Sequence, residues 1–182
     1  GLAPGLLPGR TTLADADRFA DAWPGVPDAV GRDTLATLEA AADGQVDVLV
    51  LLGADLLADV PDRDLARRAL DGAGTVIALD LFATETVASA DVVLPAAGPT
   101  EVDGTFTNLE RRIQRLKPGR ELPEGGARPE WRVICDVAHK MGAPGFLLMS
   151  PSETMDEIAR VAPIYARVSY RNLANQGGLV FK

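Results

Sequence analysis

Beyond residue 32, apolar stretches with helical spacing alternate with short apolar runs of the kind found in strands. Leu35, Leu38 and Ala42 recur on one helical face, Asp33 is placed to cap the start and Gly44 to close the end, so a first amphipathic helix is expected from Asp33 to Ala42. Val46 to Leu52 is almost continuously apolar, which suits a strand covered on both faces and central in a parallel sheet. Asp62 to Leu70 reads as a second helix: Pro61 presets its start, Leu65, Ala69 and Leu70 share a face, and Gly72 closes it. Thr75 to Leu79 follows as a strand. Residues 82–90 are expected to form a short crossover helix before another buried strand, Asp91 to Leu94, stopped by Pro95. Right-handed crossovers then make the three strands parallel.

The pattern changes at residues 101–116, where Asp103-Gly104 is a turn signal and Thr105-Phe106-Thr107 alternates like a half-buried strand, so a hairpin or ordered loop is expected. Residues 117–129 have the Pro- and Gly-rich, charged composition of a surface excursion. Trp131, Ile134, Ala138 and Met141 form one stripe on a helix from Glu130 to Met141 that ends at Gly142. A last helix begins at Ser150, with Pro151 in its first turn and Glu153 three residues past the cap, carries Met155, Ile158, Ala159 and Ala162 on one face, and ends at Pro163. The expected fold is α/β, a small parallel sheet with flanking helices plus a hairpin or loop extension. An irregular lead-in occupies residues 1–32, one α/β domain residues 33–162, and an extension residues 163–182.

Composition narrows the partners. A net charge of -8 disfavours nucleic acid and anionic lipid, both of which attract surplus Lys and Arg. Val48 to Leu52, the longest unbroken apolar run, falls far short of the roughly 20 residues of a membrane-spanning helix, so no direct membrane insertion is expected. The opening Gly1 to Arg10 has neither an initiator Met nor the basic flank and apolar core of a signal peptide, and reads as an internal cut from a longer polypeptide.

Few residues carry candidate chemistry. Cys135 and His139 stand four apart on a predicted helix, but they are the only Cys and the only His. Zinc sites need three or four protein ligands and iron-sulfur clusters several thiolates, so no metal site is expected, and the pair reads as a core Cys beside a surface His. The phosphate-cradling glycine motifs and the nucleophile-elbow motif are missing from the sequence. Gly53-Ala54-Asp55 lies just past one predicted strand and Asp80 just past the next, where open α/β sheets bind ligands. There an Asp can accept hydrogen bonds from a ribose or a guanine, yet Gly and Asp are also common turn residues after a strand. Arg111, Arg112 and Arg115 form a basic cluster able to pair with anions, or to be neutralised by Glu101, Asp103 and Glu110.

Asp80-Leu-Phe-Ala-Thr-Glu-Thr-Val-Ala-Ser-Ala-Asp-Val-Val-Leu-Pro-Ala-Ala, continued by Glu101-Val-Asp-Gly-Thr-Phe-Thr-Asn-Leu-Glu-Arg-Arg-Ile-Gln, resembles the molybdopterin oxidoreductase family. Leu6-Leu-Pro-Gly-Arg, Gly53-Ala-Asp with Asp59-Val-Pro-Asp, and Glu157-Ile-Ala-Arg-Val-Ala-Pro-Ile-Tyr-Ala carry the same resemblance. Within the family, Leu-Pro-Gly-Arg and the Asp-Gly-Thr-Phe-Thr-Asn-Leu-Glu-Arg-Arg run look most like the large iron-sulfur subunit of NADH-quinone oxidoreductase, respiratory complex I.

That resemblance implies a structural piece of that large subunit, with no cofactor in this chain and the iron-sulfur clusters elsewhere in the parent polypeptide. The implied partners are the remainder of the parent and neighbouring complex I subunits, in a cytoplasmic peripheral arm on the inner face of the cell membrane. In catalytic members the loop matching Gly53, Ala54 and Asp55 usually reads Gly-Ala-Asn-Pro and helps hold the nucleotide end of a molybdopterin guanine dinucleotide. Asp55 and Leu56 replace that Asn and Pro. An ionised Asp only accepts hydrogen bonds and repels a pyrophosphate, so Gly53, Ala54, Asp55 and Asp80 are expected to be a vestigial cofactor site. The alternative is a domain of an active molybdopterin-dependent oxidoreductase, of the formate dehydrogenase or nitrate reductase type, in which these residues line the pterin-nucleotide pocket.

Overall fold

The computed structural model describes residues 31–110, 112–122, 126–176 and 179–180. The expected lead-in before residue 31, and Arg111 of the basic cluster, lie outside the described residues. The chain divides into two compact units, one built on residues 32–102 and 120–142, the other on residues 103–119 and 143–182. The expected single domain over 33–162 runs across this division, in which the hairpin groups with residues 143–182.

The first unit is α/β. Helix α1 (Thr34–Ala42) starts where the Asp33 carboxylate accepts the Ala36 amide, as its sequence predicts. Strand β1 (Val48–Leu52) is followed by the short helix α2 (Leu56–Asp59), which the periodicity did not disclose, and by α3 (Arg63–Gly72), capped by Asp62. Strand β2 (Thr75–Asp80), helix α4 (Glu85–Ala88) and strand β3 (Val92–Pro95) complete a parallel sheet in the order β1-β2-β3. Val50 is in register with Ile77, and Ile77 with Val92. The core packs Leu38 and Ala41 of α1 and Leu65, Ala66, Ala69 and Leu70 of α3 against Leu49, Leu51 and Val76 of the sheet.

Several expectations for this unit need correction. Strand β1 is not central but stands at an edge of the described sheet, and β2 takes the middle place. Nor is β1 covered on both faces: Leu49 and Leu51 are 7% and 5% exposed, whereas Val48, Val50 and Leu52 are 52%, 51% and 50% exposed. Likewise β3 is not buried, since Val92 and Val93 are both exposed. On α1, Leu38, Ala40 and Ala41 are buried while Leu35 points outward, because small Ala side chains allow α3 to approach a face that hydrophobicity alone does not mark.

Residues 120–142 return to this unit. Arg128 forms an isolated parallel bridge with Ala96 just beyond β3, so the excursion over 117–129 is pinned at its far end. Helix α5 (Glu130–Lys140) buries Val133 and Cys135, not the expected stripe, for Ile134 and Met141 are exposed.

The second unit is a three-stranded antiparallel sheet, β4 (Gly104–Thr107), β5 (Arg112–Leu116) and β6 (Leu179–Val180), with helices α6 (Pro151–Val161) and α7 (Tyr170–Gln176) and a 3₁₀ turn at Pro163–Tyr165. Ser150 caps α6 by accepting the Glu153 amide, and Glu153 accepts the Met149 amide in return. Asp103-Gly104 does not make the hairpin turn. Asn108 does, its side-chain oxygen accepting the amides of Glu110 and Arg112 at 3.0 and 2.9 Å. Ile113, Met155, Ala162, Tyr165, Val168 and Leu173 form the core.

Candidate functional site

The carboxyl ends of β1, β2 and β3 carry the residues that the sequence singled out. Gly53 leaves β1 with φ +56, a backbone conformation that favours glycine, and its amide donates to the Leu79 carbonyl of β2 at 2.8 Å. The Gly53-Ala54-Asp55 loop and Asp80 are therefore neighbours at the end of adjacent strands. The structure brings these four residues together.

Both carboxylates are engaged locally. Asp55 stands before α2 yet makes no side-chain cap bond. Its carboxylate accepts a hydrogen bond from the Thr86 hydroxyl. Thr86 is fully buried on α4, and its oxygen accepts the Leu57 amide at 3.0 Å, so one hydroxyl links the turn after β1 to the crossover helix after β2. The Asp55 amide in turn donates to Asp59 at 3.3 Å. One oxygen of Asp80 accepts the Leu81 and Phe82 amides at 2.6 and 3.1 Å and so shapes its own turn. Past β3, Glu101 accepts the Gly98 amide at 2.9 Å.

Sequence reading missed Thr86 and Glu101 here. A four-residue helix has too little periodicity to mark one hydroxyl as buried, and Glu101 reads as part of the hairpin stretch. The resulting surface is acidic, with exposed Leu81 and Phe82 beside it. A dinucleotide pyrophosphate does not suit the Gly53–Asp55 loop: Asp55 presents charge of the same sign, and its amide already faces the Asp59 carboxylate.

Elsewhere, Cys135 is buried and His139 exposed, although both lie on α5. Among the described residues, no group of three or more His, Cys, Asp or Glu side chains converges as metal ligands. Of the basic cluster, Arg115 is committed within its own unit: its Nε and Nη2 donate to the two Asp103 oxygens at 2.9 and 2.5 Å, and its guanidinium lies 4.7 Å from the Tyr170 ring centre. Burial, together with the Asp103 charge, pushes the Tyr170 hydroxyl up to about 12, with Arg115 opposing.

Residues 16–140 match the model of the molybdopterin oxidoreductase family. The chain belongs to that family. Over 97% of its length it is 38% identical to the second NADH-quinone oxidoreductase G subunit of Rhizobium meliloti, of which it covers 21%. It is 37% identical over 97% of its length to the alpha subunit of F420-dependent formate dehydrogenase 2 of Methanococcus maripaludis, covering 26% of that protein. Acetylene hydratase from Pelobacter acetylenicus superposes on 90% of this chain and 23% of its own with a TM-score of 0.67, and at 22% identity that likeness speaks for the fold. The expected family and the expected α/β class with its small parallel sheet are thus both found. The chain spans about a fifth to a quarter of the length of these proteins. Among the described residues, no helix is long and apolar enough to cross a membrane.

Proposed function

We propose that this chain is a structural segment of the large iron-sulfur subunit of an NADH-quinone oxidoreductase, supporting electron transfer from NADH to quinone without carrying a redox centre in these residues. The observation behind this reading is the Asp55 carboxylate, held by buried Thr86 in the loop that catalytic relatives are expected to use for a nucleotide. An acceptor-only, anionic side chain with a built-in internal partner works as a joint of the fold rather than as a receptor for phosphate. The similarity to the Rhizobium NADH-quinone oxidoreductase protein along 97% of the chain points the same way. On this reading the iron-sulfur clusters sit elsewhere in the parent polypeptide. The partners are the rest of that polypeptide and its complex I neighbours, and the location is the cytoplasmic peripheral arm.

A second reading, a domain of an active molybdopterin-dependent oxidoreductase, draws on Asp80. Among the described residues only one of its carboxylate oxygens is used, by its own turn, leaving an acceptor at the strand ends. The formate dehydrogenase relative matches the chain about as well as the NADH-quinone oxidoreductase relative does. Titration calorimetry with GDP separates the two readings. No heat of binding up to millimolar GDP is expected. Micromolar binding abolished by Asp80→Ala would overturn the structural reading in favour of the second.

A further inference from the structure

Along β1 the parallel sheet is covered on one face only. Leu49 and Leu51 of β1 and Val76 of β2 pack under α1 and α3, while Val48, Val50 and Leu52 on the other side of β1 remain half exposed. The register carries this open row on through half-buried Ile77 beside Val50 and exposed Val92 beside Ile77, while Leu79, beside Leu52 on the same face, is buried and closes it at the carboxyl end of β2. The exposed residues are β-branched or Leu, types that strands use for buried faces. Parallel sheets in proteins are almost always buried on both faces.

Topology explains why the described residues leave the β1 side of this face open. The strand order β1-β2-β3 advances in one direction. Right-handed crossovers that advance in one direction all fall on the same side of the sheet. The opposite side is reached only by crossovers that run the other way, from strands added beyond β1. That edge is available: among the described residues β1 pairs with β2 alone. The relatives have the chain length to fill it, for this sequence covers only 21% and 26% of two of them.

We infer that the free edge and open face of β1 are an internal docking surface for another strand-helix segment of the same, longer polypeptide. Its strand pairs parallel to β1, and its helix lays an aliphatic face over Val48, Val50, Leu52 and Ile77. The inference does not rest on the proposed function, since it holds equally for a structural subunit and for a catalytic one. It assigns β1, an edge in the residues described, a place inside a wider sheet.

Cysteine labelling tests this, because the chain's one native thiol, Cys135, is buried and provides the blank. Val50→Cys is introduced into the 182-residue chain and into the full-length polypeptide that carries it, each is treated with a maleimide under native conditions, and the oligomeric state is read by sedimentation. The expected result is rapid labelling of a monomeric short chain and labelling slower by at least about tenfold in the full-length polypeptide. Val48→Cys, on the same face, is expected to behave identically. Equally rapid labelling in both would show the face to be open in the whole protein and would overturn the inference. Protection in a short chain that sediments as a dimer would assign the face to a second copy, and protection in a monomeric short chain would show that these 182 residues cover it themselves. Either result also overturns the inference. A GDP-binding result of either sign leaves this outcome unaffected, so the two proposals fail separately.

Discussion

The two units of this chain are held together by different means. In the parallel unit, Leu, Ala and Val side chains interdigitate between one sheet face and two helices, and Thr86 is the one buried polar side chain among the described residues. In the antiparallel unit the core is partly aromatic, with Tyr165 inside and Tyr170 packed against it, and a two-pronged Arg115–Asp103 pair lies against the Tyr170 ring. The first arrangement depends on shape and little on pH. The second couples packing to charge, so the two should respond differently to truncation and to titration.

The largest effect is expected from emptying the aliphatic core. Leu65→Ala removes a buried side chain between α3 and the sheet and should cost about 2–5 kcal/mol. Amide exchange during urea unfolding reads the loss in β2. An equal loss of protection in β4 and β5 would show the units to unfold as one and would break the contrast between them.

Thr86→Val comes next and asks whether the parallel unit is as apolar in its energetics as in its composition. The substitution keeps the shape but strands the Leu57 amide and removes the donor to Asp55, so about 1–3 kcal/mol is expected. Unchanged thermal stability would mean that the link between Asp55 and α4 contributes nothing.

Alkaline titration probes the other unit. Tyr170 holds its proton up to about 12 in the folded chain, whereas an unfolded tyrosine releases it near ~10. Below the unfolded value both states are neutral and the contribution to stability is complete. As pH rises from there through the folded value, that contribution is lost. Tyrosinate absorbance should therefore appear late, together with loss of structure in the antiparallel unit, and Asp103→Asn should move it earlier by removing a charge that raises the value. Normal titration of both tyrosines would remove the electrostatic half of the contrast.

The smallest effect belongs to Glu85, which bridges Arg67 and Arg63 at 2.7 and 2.5 Å on the solvent side of the parallel unit. Hydrogen bonds from Arg67 and Arg63 hold its carboxyl below the usual range. Its contribution is present above the unfolded carboxylate value and fades as pH falls through the lowered one. Glu85→Gln should slightly flatten the acid limb of the stability profile, and added salt should erase the difference.

Most of the parallel unit was legible because its signals are local. The cap at Asp33, the apolar run of β1 and the turn residues after each strand lie within a few positions of the elements they define, although Asp62, expected as the first residue of its helix, is in fact its cap. Burial was less legible. Leu35 and Leu38 look equivalent in sequence, and only the approach of α3 separates them. The α5 stripe failed similarly, since Val133 and Cys135 lie inward and Ile134 outward. In the antiparallel unit, Asp103-Gly104 resembles a hairpin turn, but Asp103 is taken by Arg115 while Asn108 turns the chain. Strand β6 pairs across a long separation with β5, and no short window of sequence contains that information. At the site, Gly53 and Asp80 followed from the rule about strand ends, whereas the Thr86 partner of Asp55 required the fold.

The interlaced boundaries of the two units bear on the order in which a ribosome delivers them. All three described strands of the parallel sheet have been made by Pro95, so they can pair while the rest of the chain is still being synthesised. The β4–β5 hairpin emerges soon afterwards but must wait for β6, after α5 has been added to the earlier unit, before its own sheet closes. During that interval Phe106 and Leu116 are displayed on a hairpin without its third strand. A slow stretch of translation just after the hairpin would lengthen its exposure, and one just before it would give the parallel unit time to settle first.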